Sequence, residues 1–199
     1  MYKRQARTRL HACNAARGVQ VRLFVAVLPP AEVVQHLASA VDAVRAAAPP
    51  VRWTPPERWH LTLAFLGEVD ERVLPDLTAR LLRAAGRSPV PRLRLAGAGR
   101  FGAQVLWTGV QGDVEVVTAL AASAAAAARR AGVAVDDRPY RPHVTLARSR
   151  DRSVDLGPLV AALDRYEGPV WTARALHLVR SRLGPQPAYE PLLEAPLRR

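Results

Sequence analysis

Cysteine, lysine and long apolar runs are what this 199-residue chain has least of. Cys13 is its only cysteine, which excludes an internal disulfide and a cysteine-built zinc site and fits a reducing, cytoplasmic setting. No stretch approaches the ~20 apolar residues of a membrane-spanning helix, so no membrane association is expected. The first 20 residues lack the apolar centre of a secretory signal and carry five basic side chains and no acidic one. They are expected to form a disordered extension ahead of one bilobal domain over 21–199, which no linker or low-complexity tract divides. Acidic residues are also scarce, 17 against 29 basic, for a net charge of +12. Lys3 is the only lysine, so the excess is almost entirely arginine. The guanidinium fork grips phosphate bidentately, which suits an RNA or nucleotide partner. The codon bias of a GC-rich genome, which favours Arg, Ala, Pro and Gly, would give the same excess.

Against that background two stretches repeat one pattern: His60-Leu61-Thr62-Leu63 and His143-Val144-Thr145-Leu146. In a strand, residues two apart share a face. Each stretch therefore sets an imidazole and a hydroxyl on one side and aliphatic side chains on the other. The chain has 5 histidines, 8 threonines and 6 serines, and His11, His36 and His177 lack the pattern. Either stretch alone reads as an ordinary half-polar strand. The pair suggests two related lobes across a cleft.

Strand-like Arg22–Leu28 ends at Pro29-Pro30, and a helix is expected over 31–47, closed by Pro49-Pro50. Segments 51–53 and 59–66 are extended, with Pro55-Pro56 between them and Gly67 ending the second. Asp70 is placed to cap a helix over 71–85. Strands are expected at 91–97 and 104–110, with the glycine-rich turn Gly97-Ala98-Gly99 between or near them. Asp113 can cap an alanine-rich helix over 114–131. A second motif strand at 143–149, a helix over 155–165 and strands near 170–181 and 188–193 complete the order β-α-β-α-β-β-α-β-α-β-β. This predicts an α+β (α/β-like) fold of two pseudo-symmetric lobes, each an antiparallel-rich sheet with outer helices, around a central cleft.

Two histidines with near-neutral titration can act as base and acid on a cyclic phosphodiester, with Thr62 and Thr145 donating to the non-bridging oxygens. No metal or other cofactor is required, and two histidines without a third ligand at suitable spacing make a poor metal site. The first acids after the motifs, Glu68 and Asp151, lie eight residues beyond their histidines. No G-x-S-x-G elbow occurs, and Cys13 sits in the extension, so a nucleophilic serine or cysteine is not indicated.

Trp59-His60-Leu61-Thr62-Leu63-Ala64-Phe65-Leu66-Gly67 and Arg141-Pro142-His143-Val144-Thr145-Leu146-Ala147-Arg148 contain H-x-T-x-x-F and H-x-T-x-x-R. With the opening strand Arg22–Ala26 and Val105–Val110, they make residues 21–195 resemble the two-histidine (2H) phosphoesterases, specifically the RNA 2′,3′-cyclic phosphodiesterases also called 2′-5′ RNA ligases. The resemblance implies that His60 protonates the departing ribose O3′, that His143 activates water, that Arg148 clamps the phosphate and that Phe65 stacks on the base. The implied substrates are RNA with 2′,3′-cyclic phosphate ends or small cyclic nucleotides, and the implied product is a 2′-phosphate. No obligate protein partner is implied.

From the residues alone the histidines are symmetric. Phe65 reads equally as a core aromatic, while for Arg148 a surface ion pair is the weaker alternative, given its position at the cleft end. Arg141 is a second candidate for phosphate or RNA backbone, and Tyr140 and Tyr189 could line the pocket. His177, between Leu176 and Leu178, reads as a satisfied structural histidine. Phe65 and Arg148 each lie five residues after a histidine, so the strand must end or bulge for them to share its face. The alternatives are a 2′-5′ ligase or 2′-5′ phosphodiesterase activity, or a nucleotide-binding module without turnover.

Overall fold

The computed structural model describes residues 18–182, 184 and 188–198. The extension expected over 1–20 falls outside them except for its last three residues, of which Gln20 already opens a strand. The elements are β1 (Gln20–Val27), α1 (Ala31–Arg45), β2 (Arg52–Trp53), β3 (Leu61–Asp70), α2 (Leu74–Ala85), β4 (Arg92–Phe101), β5 (Val105–Gly112), α3 (Val114–Arg130), β6 (His143–Arg148), α4 (Gly157–Leu163), β7 (Trp171–Thr172), β8 (Ala175–Arg182) and β9 (Ala188–Pro196).

The helices form where apolar residues recur every three or four positions. Helix α1 buries Val33, Leu37 and Val41, and α2 buries Leu77, Leu81 and Ala85. Helix α3 turns Val117, Leu120, Ala121, Ala124, Ala127 and Ala128 inward. Its methyl-sized contacts let it lie close on β3, with α2 alongside. The strands pair antiparallel in the order β7-β4-β5-β6-β3-β1-β8-β9, with β2 also on β6. Each half is thus an antiparallel sheet backed by helices, and the two motif strands, β3 and β6, are neighbours at the seam. Leu23, Val25, Leu61, Leu106, Val144 and Leu176 all pack into one core on the helix side. The opposite face of the sheet carries the site.

Four local expectations are corrected. Gly97-Ala98-Gly99 is not the turn between β4 and β5 but lies inside β4, where the register slips between Ala96 and Ala98 and the Gly97 N–H donates to the Tyr166 carbonyl. The reversal falls at 102–104, with Gly102 at φ +54°. Gly67 does not end its strand: at φ +69° it carries β3 on to Asp70. Asp113 leaves α3 uncapped because its carboxylate accepts the Arg92 N–H at 2.8 Å. The strand expected near 170–181 is two, β7 on β4 and β8 on β1, so the chain crosses at 173–174 from one half of the sheet to the other.

Candidate active site

The seam is narrow: β3 and β6 pair at Leu61↔Val144. Both residues are fully buried on the core side. One step to either side, antiparallel register sets His60 beside Thr145 and Thr62 beside His143, on the opposite face. Each histidine therefore faces the other motif's threonine, and all four side chains share one surface. The segment before His60 keeps to the same edge of β6. Arg52 and Trp53 pair with Arg148 and Ala147, and the Thr54 N–H donates to the Leu146 carbonyl. Between them Pro55-Pro56 breaks the strand into a single 3-10 turn over Pro56–Arg58, which delivers His60 to the cleft.

A bulge sits three residues after each histidine. In β3 the partners of Ala26 and Val25 are Thr62 and Ala64, leaving Leu63 as the extra residue. In β6 the partners of Trp107 and Leu106 are Thr145 and Ala147, leaving Leu146 extra. The burial pattern records both: 61–65 and 144–148 each run buried, half-buried, buried, buried, exposed. The inserted residue restores Phe65 and Arg148 to the histidine face, as the five-residue spacing requires. Phe65 is 47% exposed and stacks under the Arg22 guanidinium, 4.8 Å from the ring centre, so it is not a core aromatic. Arg148 is exposed and has no carboxylate within ion-pair distance among the described residues, so it is not a structural ion pair either.

The two imidazoles are held alike. His60 Nδ1–H donates to the Arg58 carbonyl and His143 Nδ1–H to the Arg141 carbonyl, each at 2.7 Å. A carbonyl only accepts, so Nδ1 carries the proton and Nε2 is the working atom of both rings. Each ring also has an aromatic wall. His60 stacks on Phe24 at 4.5 Å with Tyr189 edge-on at 5.4 Å. His143 meets the edge of Phe101 at 4.8 Å and Trp107 at 6.2 Å. Trp107 in turn lies across Gly99, where a Cβ would come within 2.2 Å of the indole. The described Thr62 and Thr145 hydroxyls make no hydrogen bond to another described residue.

Both imidazoles titrate below the ordinary 6.5. Burial is the main cause for His60, partly offset by its bond to Arg58, with further lowering by the charges of His143 and Arg148. Burial also leads for His143, offset by the Arg141 carbonyl and reinforced by Arg148 and Arg141. The charge of Arg148 thus lowers both rings and that of His143 lowers His60, as fits three groups on one face of the sheet.

Of the remaining candidates, Arg141 lies over the Phe101 ring at 5.8 Å, at the edge of the same face. Tyr189 belongs to the wall described above. Tyr140 does not line the site: it packs against the core with its hydroxyl buried and unbonded among the described residues. His177 is not a satisfied structural histidine, since its Nδ1 is buried without a hydrogen-bond partner among the described residues. It lines a separate groove of about 470 Å³ with Glu32, Arg174 and Glu194. Phe24 and Trp107 lie in stretches that carry the resemblance, but nothing in the sequence sets them or Phe101 beside the histidines; strand pairing does. No group of three or more His, Cys, Asp or Glu side chains among the described residues could hold a metal ion.

The profile of the 2′-5′ RNA ligase superfamily matches residues 29–185. An RNA 2′,3′-cyclic phosphodiesterase of Thermus thermophilus is 35% identical over 190 residues, covering 89% of this chain and 91% of its own. One from Escherichia coli is 34% identical over 143 residues, covering 69% and 77%. The crystal structure of E. coli LigT complexed with 3′-AMP superposes with a TM-score of 0.74 at 27% identity, covering 91% of this chain and all of that one.

Proposed function

Because the chain belongs to the 2′-5′ RNA ligase superfamily, we propose that it hydrolyses RNA 2′,3′-cyclic phosphate ends to 2′-phosphates by a metal-independent acid–base pair, His60 and His143. The observation that carries this reading is the Leu61↔Val144 register, with each histidine beside the other motif's threonine. A cyclic phosphodiester seated there has an imidazole Nε2 on either side of one phosphorus.

The reaction follows from the fixed tautomers. Neutral His143 accepts a proton from water at Nε2 as the water oxygen bonds to phosphorus. The P–O3′ bond breaks on the opposite side, and protonated His60 passes its Nε2 proton to O3′. The products are a 2′-phosphomonoester and a free 3′-hydroxyl. Proton exchange with solvent then restores both rings. Thr62 and Thr145 donate to the non-bridging oxygens as charge accumulates on them, and Arg148 balances that charge. Phe65 supplies an exposed ring for a base to stack on, and Arg141 a further cation at the rim. The assignment of His60 as acid and His143 as base rests on the family resemblance. The Nδ1 bonds are equal on the two sides.

Among the described residues no helix is long and apolar enough to cross a membrane. A reducing, cytoplasmic setting belongs to the same proposal and is supported by the lone cysteine.

The test is RNA carrying a 2′,3′-cyclic phosphate, incubated with the protein in excess EDTA. The expected product is the 2′-phosphate alone. His60→Ala and His143→Ala should each remove turnover while keeping the fold, and Thr62→Ala or Thr145→Ala should cost about 2–4 kcal/mol of transition-state stabilisation. A 3′-phosphate product, or a reaction that EDTA stops, would contradict the reading. Joined 2′-5′ ends would favour the ligase, and binding without conversion the module.

A further inference from the structure

The two ends of the cleft differ in how their arginines are neutralised. Around the first motif Arg22 faces Glu68 at 3.7 Å, Arg180 holds Glu71 at 2.7 Å and Arg182 holds Glu190 at 2.7 Å. Around the second motif Arg52 and Arg148 are direct partners across β2 and β6. Neither has a carboxylate within ion-pair distance among the described residues.

Their shared face follows from what flanks them. Trp53, next to Arg52, packs against the core, and its partner Ala147 is fully buried. Arg52 and Arg148 therefore both point the other way, onto the histidine face. Like charges directly opposite each other on a sheet are destabilising. Two exposed guanidiniums left so, in a protein with acids to pair arginines elsewhere, fit a polyanion that sets one phosphate on each. The two positions are not equivalent. Arg148 acts on both histidines electrostatically. Arg52 stands one strand further along the row that runs Val105, Arg148, Arg52.

Given the phosphodiesterase reading above, on which this inference rests, we propose that Arg52 binds the next phosphate along an RNA chain. Arg148 holds the reacting phosphate, and the strand leaves the cleft across the β2–β6 lip. This makes the substrate a polynucleotide end in preference to a free cyclic mononucleotide. Specificity then comes from a backbone contact blind to sequence.

The experiment compares Arg52→Ala, Arg148→Ala and the unaltered protein on a mononucleoside 2′,3′-cyclic phosphate and on a short oligoribonucleotide with the same end. Arg148→Ala should lower kcat/KM on both by a similar factor. Arg52→Ala should lower it about tenfold more on the oligonucleotide than on the mononucleotide, chiefly through KM. The slope of log(kcat/KM) against log salt for the oligonucleotide should become shallower by about 0.7, one single-strand phosphate contact. Equal losses on both substrates, or none on either, would overturn the inference. Equilibrium binding of a 3′-phosphorylated oligonucleotide and of a 3′-mononucleotide makes the same comparison without turnover. A protein that binds both with this Arg52 dependence yet hydrolyses neither would uphold the backbone contact and sink the phosphodiesterase reading. Arg52→Lys should recover part of the loss, because the site needs charge more than a hydrogen-bonding fork.

Discussion

At the residue scale the site is a problem in holding two protons apart. His60 and His143 each sit on a backbone carbonyl that fixes Nδ1, and each is pulled below 6.5 chiefly by burial and in part by the Arg148 charge. In the mechanism proposed above one imidazole is neutral and the other charged, so the two titrations would bound the active range. Since both rings are depressed, the kcat/KM profile, which reports the free enzyme, should be bell-shaped with its optimum on the acid side of 6.5. Arg148→Ala removes a cation that disfavours protonation of both rings. Histidine NMR titrations should then move to higher pH for His60 and His143 together, while His177, which Arg148 does not influence, stays in place. A shift in only one of the pair would separate Arg148 from the shared site. The histidines and threonines were legible in the sequence because their pattern needs only strand alternation. The aromatic walls were not. Phe24 and Trp107 reach the imidazoles by strand pairing, which no local pattern encodes.

At the element scale the feature that organises the cleft is the repeated bulge. One extra residue, Leu63 or Leu146, lets a five-residue spacing keep to one face, and so puts Phe65 and Arg148 on the histidine side of the sheet. The spacing announced that something must interrupt alternation there. Which residue is extra became visible only from the partners on β1 and β5. Gly97 and Gly67 differ from the sequence expectation for a related reason: a glycine signals a turn or a strand end, whereas here its positive φ carries the strand through an irregularity. Gly99 has a different task, since the Trp107 indole occupies the space of a Cβ. Gly99→Ala should push the indole off β4, cost about 1–3 kcal/mol of stability and lower kcat by loosening the wall beside His143. Urea unfolding with kinetics on the same samples checks this. An unchanged variant would show that the indole has other room.

At the scale of the whole molecule, the alternation of strands and helices in two similar halves was readable, and so was the cleft between them. The single paired step that joins the halves into one sheet was not, because it depends on contacts 83 residues apart. Placing half-buried imidazoles along this face has a consequence for stability. His60, His143 and His177 all titrate below 6.5 in the fold, so between those values and 6.5 the unfolded chain binds more protons. Their neutral forms leave stability intact above about 6.5, and stability should fall as pH drops below it. Asp70, held at about 2 by Arg72, acts in a separate window and loses its contribution only as pH falls from 3.8 toward 2. Urea midpoints at pH 7.5 and 5.5 should therefore differ, with the lower at 5.5, and inorganic phosphate in the cleft should narrow the gap. Equal midpoints would mean that the fold does not hold the imidazoles below their ordinary titration range. The division of labour between the halves is tested most directly with a cyclic phosphate whose 3′ bridging oxygen is replaced by sulfur, a leaving group that departs without a proton. On this substrate His60→Ala should regain most of the unaltered protein's rate and His143→Ala should stay inactive. Rescue of both variants, or of neither, would contradict an acid and a base working on opposite sides of one phosphorus.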